Sequence, residues 1–336
     1  MKEMFQRIAE KIAAGESLVM VTVIAASGAT PRGAGARMLV GREGRICGTI
    51  GGGAVEYRSQ QIAQQVLESG SSRAQDFSLT RDDVQNLGMI CGGDVHVFFS
   101  FLQGSDQEVL ALAQKAEQYF VQGRNLWLIL DISQDGRMGL YTQEEGFFGM
   151  EDPQWHPEQT ERQAKRICVG MRELFAEQIN SSSKVYIFGG GHVSQQLVPV
   201  LSRVGFRCVV LEDRPEFADP ALFPTASEVL LVDFDRIDQW ITVDKNDYAC
   251  VMTRGHAHDT VIQAQLLRTP ACYIGVIGSA TKKAQVYQKL YEQGFTPDDT
   301  ARITSPIGLP IMAETPEEIA VSIAAQMILQ RAKLRK

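Results

Sequence analysis

Lys184-Val185-Tyr186-Ile187-Phe188-Gly189-Gly190-Gly191-His192-Val193-Ser194 sets a β-branched and aromatic run against a triple glycine, and a helical pattern follows as far as Val204. A strand that ends in Gly-x-Gly and opens a helix is the first turn of a dinucleotide-type domain. Gly189 is read as the tight turn and Gly191 as the point where backbone approaches a pyrophosphate at the helix N-terminus. His192 lies in that turn. Ser194 stands where a third glycine would be and is small enough for close helix–strand packing. Downstream, strands are predicted at Cys208–Leu211, Val229–Asp233, Tyr248–Thr253 and Cys272–Ile277, with helices at Ile262–Leu267, Lys282–Glu292 and Thr315–Gln330. This alternation implies a Rossmann-like, doubly wound parallel sheet over residues 184–331.

Ligands of such sheets bind outside the carboxyl ends of the strands. Glu212-Asp213 closes the second strand about 20 residues after the glycines, where an acid binds ribose hydroxyls. The fourth strand runs into Arg254-Gly255-His256-Ala257-His258-Asp259 and the fifth into Gly278-Ser279. The expected nucleotide set is therefore Gly189, Gly191, His192, Ser194, Glu212, Asp213, Gly278 and Ser279, with NAD(P) or another nucleotide as the ligand. His256 is a candidate acid–base because imidazole titrates near neutral pH. His256-x-His258-Asp259 has the donor types of a first-row metal site. No further ligand cluster accompanies it, so no metal is expected.

Upstream, an amino-terminal α+β domain is predicted over residues 1–179, with Asn180-Ser181-Ser182-Ser183 as a polar linker at 180–183. A helix, a strand, a hairpin and a helix occur twice, the second time as Asp106–Gln122, Leu126–Ile132, Arg137–Met150 and Glu158–Ala176. We read this as an internal duplication. The first copy alone carries glycine stations: Ser27-Gly28-Ala29-Thr30-Pro31-Arg32-Gly33-Ala34-Gly35 and Gly51-Gly52-Gly53, the latter opening a helix. Bare backbone amides beside Arg32 and Arg37 suit phosphate or carboxylate. Glu56, in the first turn of the helix after the triplet, is read either as a contact to a base-like edge or as a complement to the helix dipole. Cys91-Gly92-Gly93 is a third station, and Cys91 is a candidate metal contact or nucleophile. The other five cysteines read as four strand core residues and Cys168 on the helix expected at Glu158–Ala176.

These segments, in this order, resemble the xanthine dehydrogenase accessory family of XdhC and CoxI type. Ser27–Arg32, Gly35–Val40, Gly48–Gly53 and Cys91-Gly92-Gly93 look like its amino-terminal signatures. Glu212–Phe217, Ile277-Gly278-Ser279, Ser305–Pro310 and Thr315–Ala320 look like its Rossmann-type part. The resemblance implies a maturation factor more than a catalyst. Such a factor binds molybdenum cofactor as cargo, assists its sulfuration and delivers it to a molybdenum hydroxylase such as xanthine dehydrogenase, with a cysteine desulfurase supplying sulfur. Carried over residue by residue, the molybdopterin set is Ser27, Thr30, Arg32, Gly33, Arg37, Gly51, Gly52, Gly53, Glu56, Cys91, Gly92 and Gly93. Ala54 stands where many members carry a cysteine. An NAD(P)-dependent oxidoreductase, with substrate in the amino-terminal domain, is the alternative.

The formal net charge of -7 and the lack of a basic run argue against nucleic acid. No run reaches membrane-spanning length and no secretory apolar core precedes Gly15, so a cytoplasmic protein is expected. Homodimerisation is the base-rate expectation.

Overall fold

The computed structural model describes residues 1–28, 30, 32–78, 93–133, 135–157, 163–181, 183–254 and 258–334. The chain divides into two compact units, Met1–Ser182 and Ser183–Lys336.

The first unit begins with α1 (Lys2–Ala13), β1 (Leu18–Gly28), β2 (Arg37–Gly41), β3 (Gly44–Thr49), α2 (Gly53–Ser69), β4 (Arg73–Ser78) and β5 (Gly93–Leu102). It continues with α3 (Gln107–Gln122), β6 (Leu126–Asp131), β7 (Met138–Thr142), β8 (Gly146–Phe148), β9 (Lys165–Val169) and β10 (Arg172–Asn180). Two antiparallel sheets result, ordered β3-β2-β1-β5-β4 and β8-β7-β6-β10-β9. The second order repeats the first strand for strand, which is the topology expected of a duplicated chain.

Alternation along the strands explains the layers. Leu18, Met20 and Leu39 of one sheet and Leu126, Leu128 and Phe175 of the other join Phe5, Ile8 and Ile12 of α1 and Leu112 and Ala116 of α3 in one core. The opposite face of the first sheet, Val19, Val21 and Val23, is covered by Val55, Ala63 and Val66 of α2. The second copy has no such helix among the described residues. The helix expected at Glu158–Ala176 is instead the hairpin β9–β10, with 158–162 outside the described residues. Gly170 at φ +60° and the fully exposed Met171 form its two-residue turn. A mid-helix glycine costs about 1 kcal/mol, whereas a tight turn needs one. Cys168 therefore sits on a strand, exposed.

The second unit comprises β11 (Lys184–Phe188), α4 (His192–Arg203), β12 (Arg207–Glu212), β13 (Glu228–Leu231), β14 (Tyr248–Val251), α5 (Asp259–Leu267) and β15 (Tyr273–Val276). It closes with α6 (Ala280–Glu292), α7 (Pro297–Ala301), β16 (Ile303–Thr304) and α8 (Pro316–Lys333). The sheet is parallel, in the order β13-β12-β11-β14-β15-β16. Phe188, Leu211 and Val251 pack with α5 on one face. Ile187, Val210 and Cys250 pack with α4 and α8 on the other. Strand order reverses between β11 and β14, and ligands of this fold bind at that reversal.

Candidate functional site

In the first unit, β1 and β5 stay paired to their ends, with Ser27 opposite Asp94 and Gly28 opposite Gly93. Gly28, where the glycine loop begins, and Gly93, the last residue of the Cys-Gly-Gly segment, thus lie at the same end of one sheet. Ser78 at the end of β4 adds a third strand end, opposite Asp94. Asp94 accepts hydrogen bonds from Ser78 Oγ at 2.8 Å and from Ser27 Oγ at 3.5 Å.

The loop itself is open. Arg32 and Gly33 are exposed, and a Cβ added at Gly33 would meet nothing within 4 Å. Thr30 Oγ1 donates to the Arg32 carbonyl at 3.3 Å. The Arg32 guanidinium forms no ion pair among the described residues. The loop is anchored at its far end, where Gly35 N donates to Val23 O at 2.8 Å and Val23 N to Ala36 O at 2.9 Å. Cys91 and Gly92 lie outside the described residues.

Two expected anion ligands are otherwise engaged. Arg37 points between the two sheets, its side chain 1% exposed, in an ion pair with Glu177 of β10. Its Nη1 also donates to Gly35 O at 3.1 Å, and its guanidinium lies over the Phe175 ring. Arg37 is therefore a strut between the copies, not a free guanidinium.

The Gly51–Gly53 triplet also has internal partners. Glu56 turns back from α2 and accepts from Ile50 N at 3.1 Å, Gly52 N at 3.0 Å and Arg45 Nη1 at 2.7 Å, as well as from Thr49 Oγ1. Gly51 N donates to Thr49 Oγ1 at 3.1 Å. Burial pushes the Glu56 carboxyl up, but the bonds from Thr49, Gly52 and Ile50 and the Arg45 charge outweigh it and hold the group below the usual range. The chain's own groups therefore engage the Gly51 and Gly52 amides, while Gly53 is exposed. Glu56→Ala should cost about 2 kcal/mol, because it strands partly buried donors. Urea unfolding measures this, and a loss below about 0.5 kcal/mol would show that the turn does not need its carboxylate.

In the second unit, Gly189 has φ +109°, and a Cβ there would lie 2.5 Å from Met252 O, so only glycine lets β11 turn against the exit of β14. Ser194 is buried and bonds the Gly189 carbonyl through its hydroxyl, a packing role. Gly191 caps α4, with no side-chain cap and open space where a Cβ would stand. His192 beside it is exposed. This turn can receive an anionic group from solvent.

Glu212 is not free to bind ribose. Its carboxylate accepts from Gly190 N at 2.7 Å and, from Arg214, Nε at 2.9 Å and Nη2 at 3.0 Å, as well as from the amides of Asp213 and Arg214. Arg214 also stacks on Phe217, 4.0 Å from the ring centroid. Burial raises the Glu212 pKa, yet Arg214 and these donors hold it down at about 2. The adjacent Asp213 moves the other way, raised by burial and by the neighbouring Glu212. Asp213 remains one-third exposed, 3.5 Å from His258 Nε2. Gly278 lines a narrow pit with Asp259, Gln263, Lys282 and Lys283, and Ser279 caps α6 through its hydroxyl. His256 lies outside the described residues, and no group of three or more possible metal-ligating side chains occurs among those described.

Sequence reading overlooked Asp94, Glu177 and Arg214 as site-shaping residues. Asp94 and Arg214 carried local signals, directly after Cys91-Gly92-Gly93 and within Glu212–Phe217, whereas Glu177 carried none.

Fold and strand-end geometry together define a two-unit α/β protein, with open polar strand ends in one unit and a Rossmann-like parallel sheet in the other. A model of the XdhC and CoxI family matches residues 11–78, and one of the XdhC Rossmann domain matches 185–327. The chain belongs to the XdhC and CoxI family. It is 26% identical over 329 residues to a probable xanthine dehydrogenase subunit of Bacillus subtilis (strain 168), covering 95% of this chain and 94% of that one. It is 24% identical over 325 residues to the molybdenum cofactor insertion chaperone PaoD of Escherichia coli (strain K12), covering 95% and 85%. A crystal structure described as a xanthine dehydrogenase from Bacillus halodurans superposes with a TM-score of 0.77 at 26% identity, over 100% of this chain and 96% of that one. No helix among the described residues is long and apolar enough to cross a membrane.

Proposed function

We propose that this chain is an accessory factor that holds molybdenum cofactor and passes it to a molybdenum hydroxylase of the xanthine dehydrogenase type. Similarity to an insertion chaperone and to a probable component of a xanthine dehydrogenase supports the class. The observation that carries the reading is the register of Gly28 opposite Gly93, which supports a single polar station built from the Ser27–Gly35 loop and the Cys-Gly-Gly segment. Arg32 and the open amides around Gly33 suit the cargo's phosphate. Asp94 suits the amino-bearing edge of a pterin, the role that Glu56, already bonded, does not serve. Cys91, two residues before Gly93, is the proposed thiol contact to the cargo's metal. Sulfuration of the cargo, with a cysteine desulfurase as donor, belongs to the same proposal.

For the second unit we infer a nucleotide, NAD(P) or another. Gly191 and His192 fit a pyrophosphate at the start of α4. Glu212 does not fit the ribose contact, because its oxygens are filled, and Asp213 takes that place.

The test is uptake of molybdenum cofactor by the purified full-length chain, read as fluorescent oxidised pterin. Stoichiometric uptake is expected, with Arg32→Ala and Asp94→Asn each weakening it roughly tenfold, the equivalent of one lost charged contact. A folded sample without uptake that turns over NAD(P)H with a carbonyl compound would replace this reading with an oxidoreductase.

A further inference from the structure

Helix α8 is apolar on two sides. Ala320, Ile323, Ala324 and Met327 face the parallel sheet and are buried. On the outer side, Val321, Ala325, Ile328 and Ala332 recur at spacings of four, three and four residues, with Leu329 beside them. Val321 is 52% exposed, Ile328 40% and Leu329 44%, and the exposed pair Ile311-Met312 precedes the helix. A helix apolar all round is ordinarily buried, and contiguous exposed apolar surface marks an interaction face.

The two ends of this stripe carry opposite charge. Glu317 and Glu318 are exposed in the first turn. Lys333 is exposed in the last turn, whereas Arg331 is turned inward, donating to Val204 O at 2.9 Å and stacking on Phe206. We propose that this face joins two copies of the chain, α8 against α8, antiparallel about a two-fold axis at Ala325.

Charge and shape select that arrangement. An antiparallel pair sets the acidic first turn of each helix beside Lys333 of the second copy and opposes the helix dipoles favourably. A parallel pair would stack acid on acid. Alanine at the crossing allows the backbones to approach closely. With the axis there, Val321 of one copy lies level with Leu329 of the other and one residue from Ile328, so the stripe complements itself as an isologous contact requires. A lipid surface would favour basic residues along the polar flanks, and here the first turn is acidic.

Sedimentation and cross-linking of the full-length chain test this. The wild type is expected to be a concentration-dependent dimer, and Ala325→Arg should raise the dissociation constant at least about 100-fold while leaving circular dichroism unchanged. Ala325→Cys should give a covalent dimer on mild oxidation, beyond any background from the wild type's own cysteines. Ala332→Cys should not, because a rise of 1.5 Å per residue puts its two copies roughly 21 Å apart. A wild type that stays monomeric at all concentrations, a dimer that survives Ala325→Arg, or equal cross-linking at 325 and 332 would each overturn the proposal. If Ala325→Arg does not fold, the two cysteine variants still decide.

Discussion

Glu177→Ala is expected to destabilise the chain by roughly 3–5 kcal/mol, the cost of stranding a buried charge. Arg37 is the charge in question. Its side chain is 1% exposed, and its Nε and Nη2 have no hydrogen-bond partner among the described residues. Once the carboxylate is gone, the guanidinium keeps only the Gly35 carbonyl and the face of Phe175. Arginine cannot escape by losing its proton, because its intrinsic pKa lies far above any working pH. The double substitution Arg37→Met with Glu177→Leu should recover most of the loss, since apolar residues of similar volume commonly replace a buried pair without penalty. Denaturant unfolding of the two variants decides the matter, and a single-variant loss under about 1 kcal/mol would mean that the pair is not holding the copies together. The consequence reaches the proposed cargo station. Gly35 closes the glycine loop at φ +92°, and a Cβ there would lie 2.5 Å from Glu177 Oε1. The second copy therefore sets where the loop of the first copy ends. A variant that folds but cannot anchor Gly35 should also lose cofactor uptake.

Glu212 gives the second large effect, through pH. Its pKa in the folded chain is about 2, against about 4.3 for an unperturbed glutamate. A depressed folded pKa means that the unfolded chain binds the proton more readily. The stabilisation is therefore complete above about pH 5 and is lost as pH falls toward 2. Its size at neutral pH is on the order of 3 kcal/mol. Glu56 and Asp131 are also held low, so the wild type's acid sensitivity is a sum. The difference between wild type and Glu212→Gln isolates the Glu212 share. The variant is expected to be less stable at pH 7, with the gap roughly halved at pH 3 and nearly closed at pH 2. Urea unfolding across that range measures it, and a gap independent of pH would refute the assignment. The same substitution loosens Arg214 and the Gly190 amide, so nucleotide affinity should fall with stability. Asp213→Asn should lower affinity with little change in stability, because Asp213 is partly exposed and holds no turn in place.

Much of this protein could be read without its coordinates, and the particular residues show why. The strand–glycine–helix run at Lys184–Ser194 encodes its own geometry, because Gly189 alone tolerates the positive φ that turns β11 into α4. The repeated helix, strand and hairpin signalled duplication because period and turn residues act locally. The failure at Glu158–Ala176 is equally physical. Leu174-Phe175-Ala176 is a buried run without alternation, and such a run fits a buried helix or a covered strand equally well until the partner strands β6 and β9 are known.

Site residues divided along the same line. Residue type and spacing singled out Arg37, Glu56 and Glu212 as charged groups near glycine turns and suggested ligand contacts. What each charge faces was beyond them. Glu177 lies far from Arg37 along the chain, and only the packing of the two sheets brings it into contact. Glu56 and Glu212 are local to their turns, yet whether a carboxylate points outward to a ligand or inward to backbone amides depends on rotamer and burial.

By itself the sequence determined the doubly wound second unit, the duplicated first unit and the places where backbone is bare, because these follow from periodicity and from glycine's freedom at particular φ values. Tertiary structure alone decided which bare amides remain open. Electrostatic pairing depends on distance in space and on desolvation, and both are set only when the sheets close over their charges: Arg37 and the amides of Gly51 and Gly52 are engaged within the chain, while Arg32, Gly33 and Gly191 are left open.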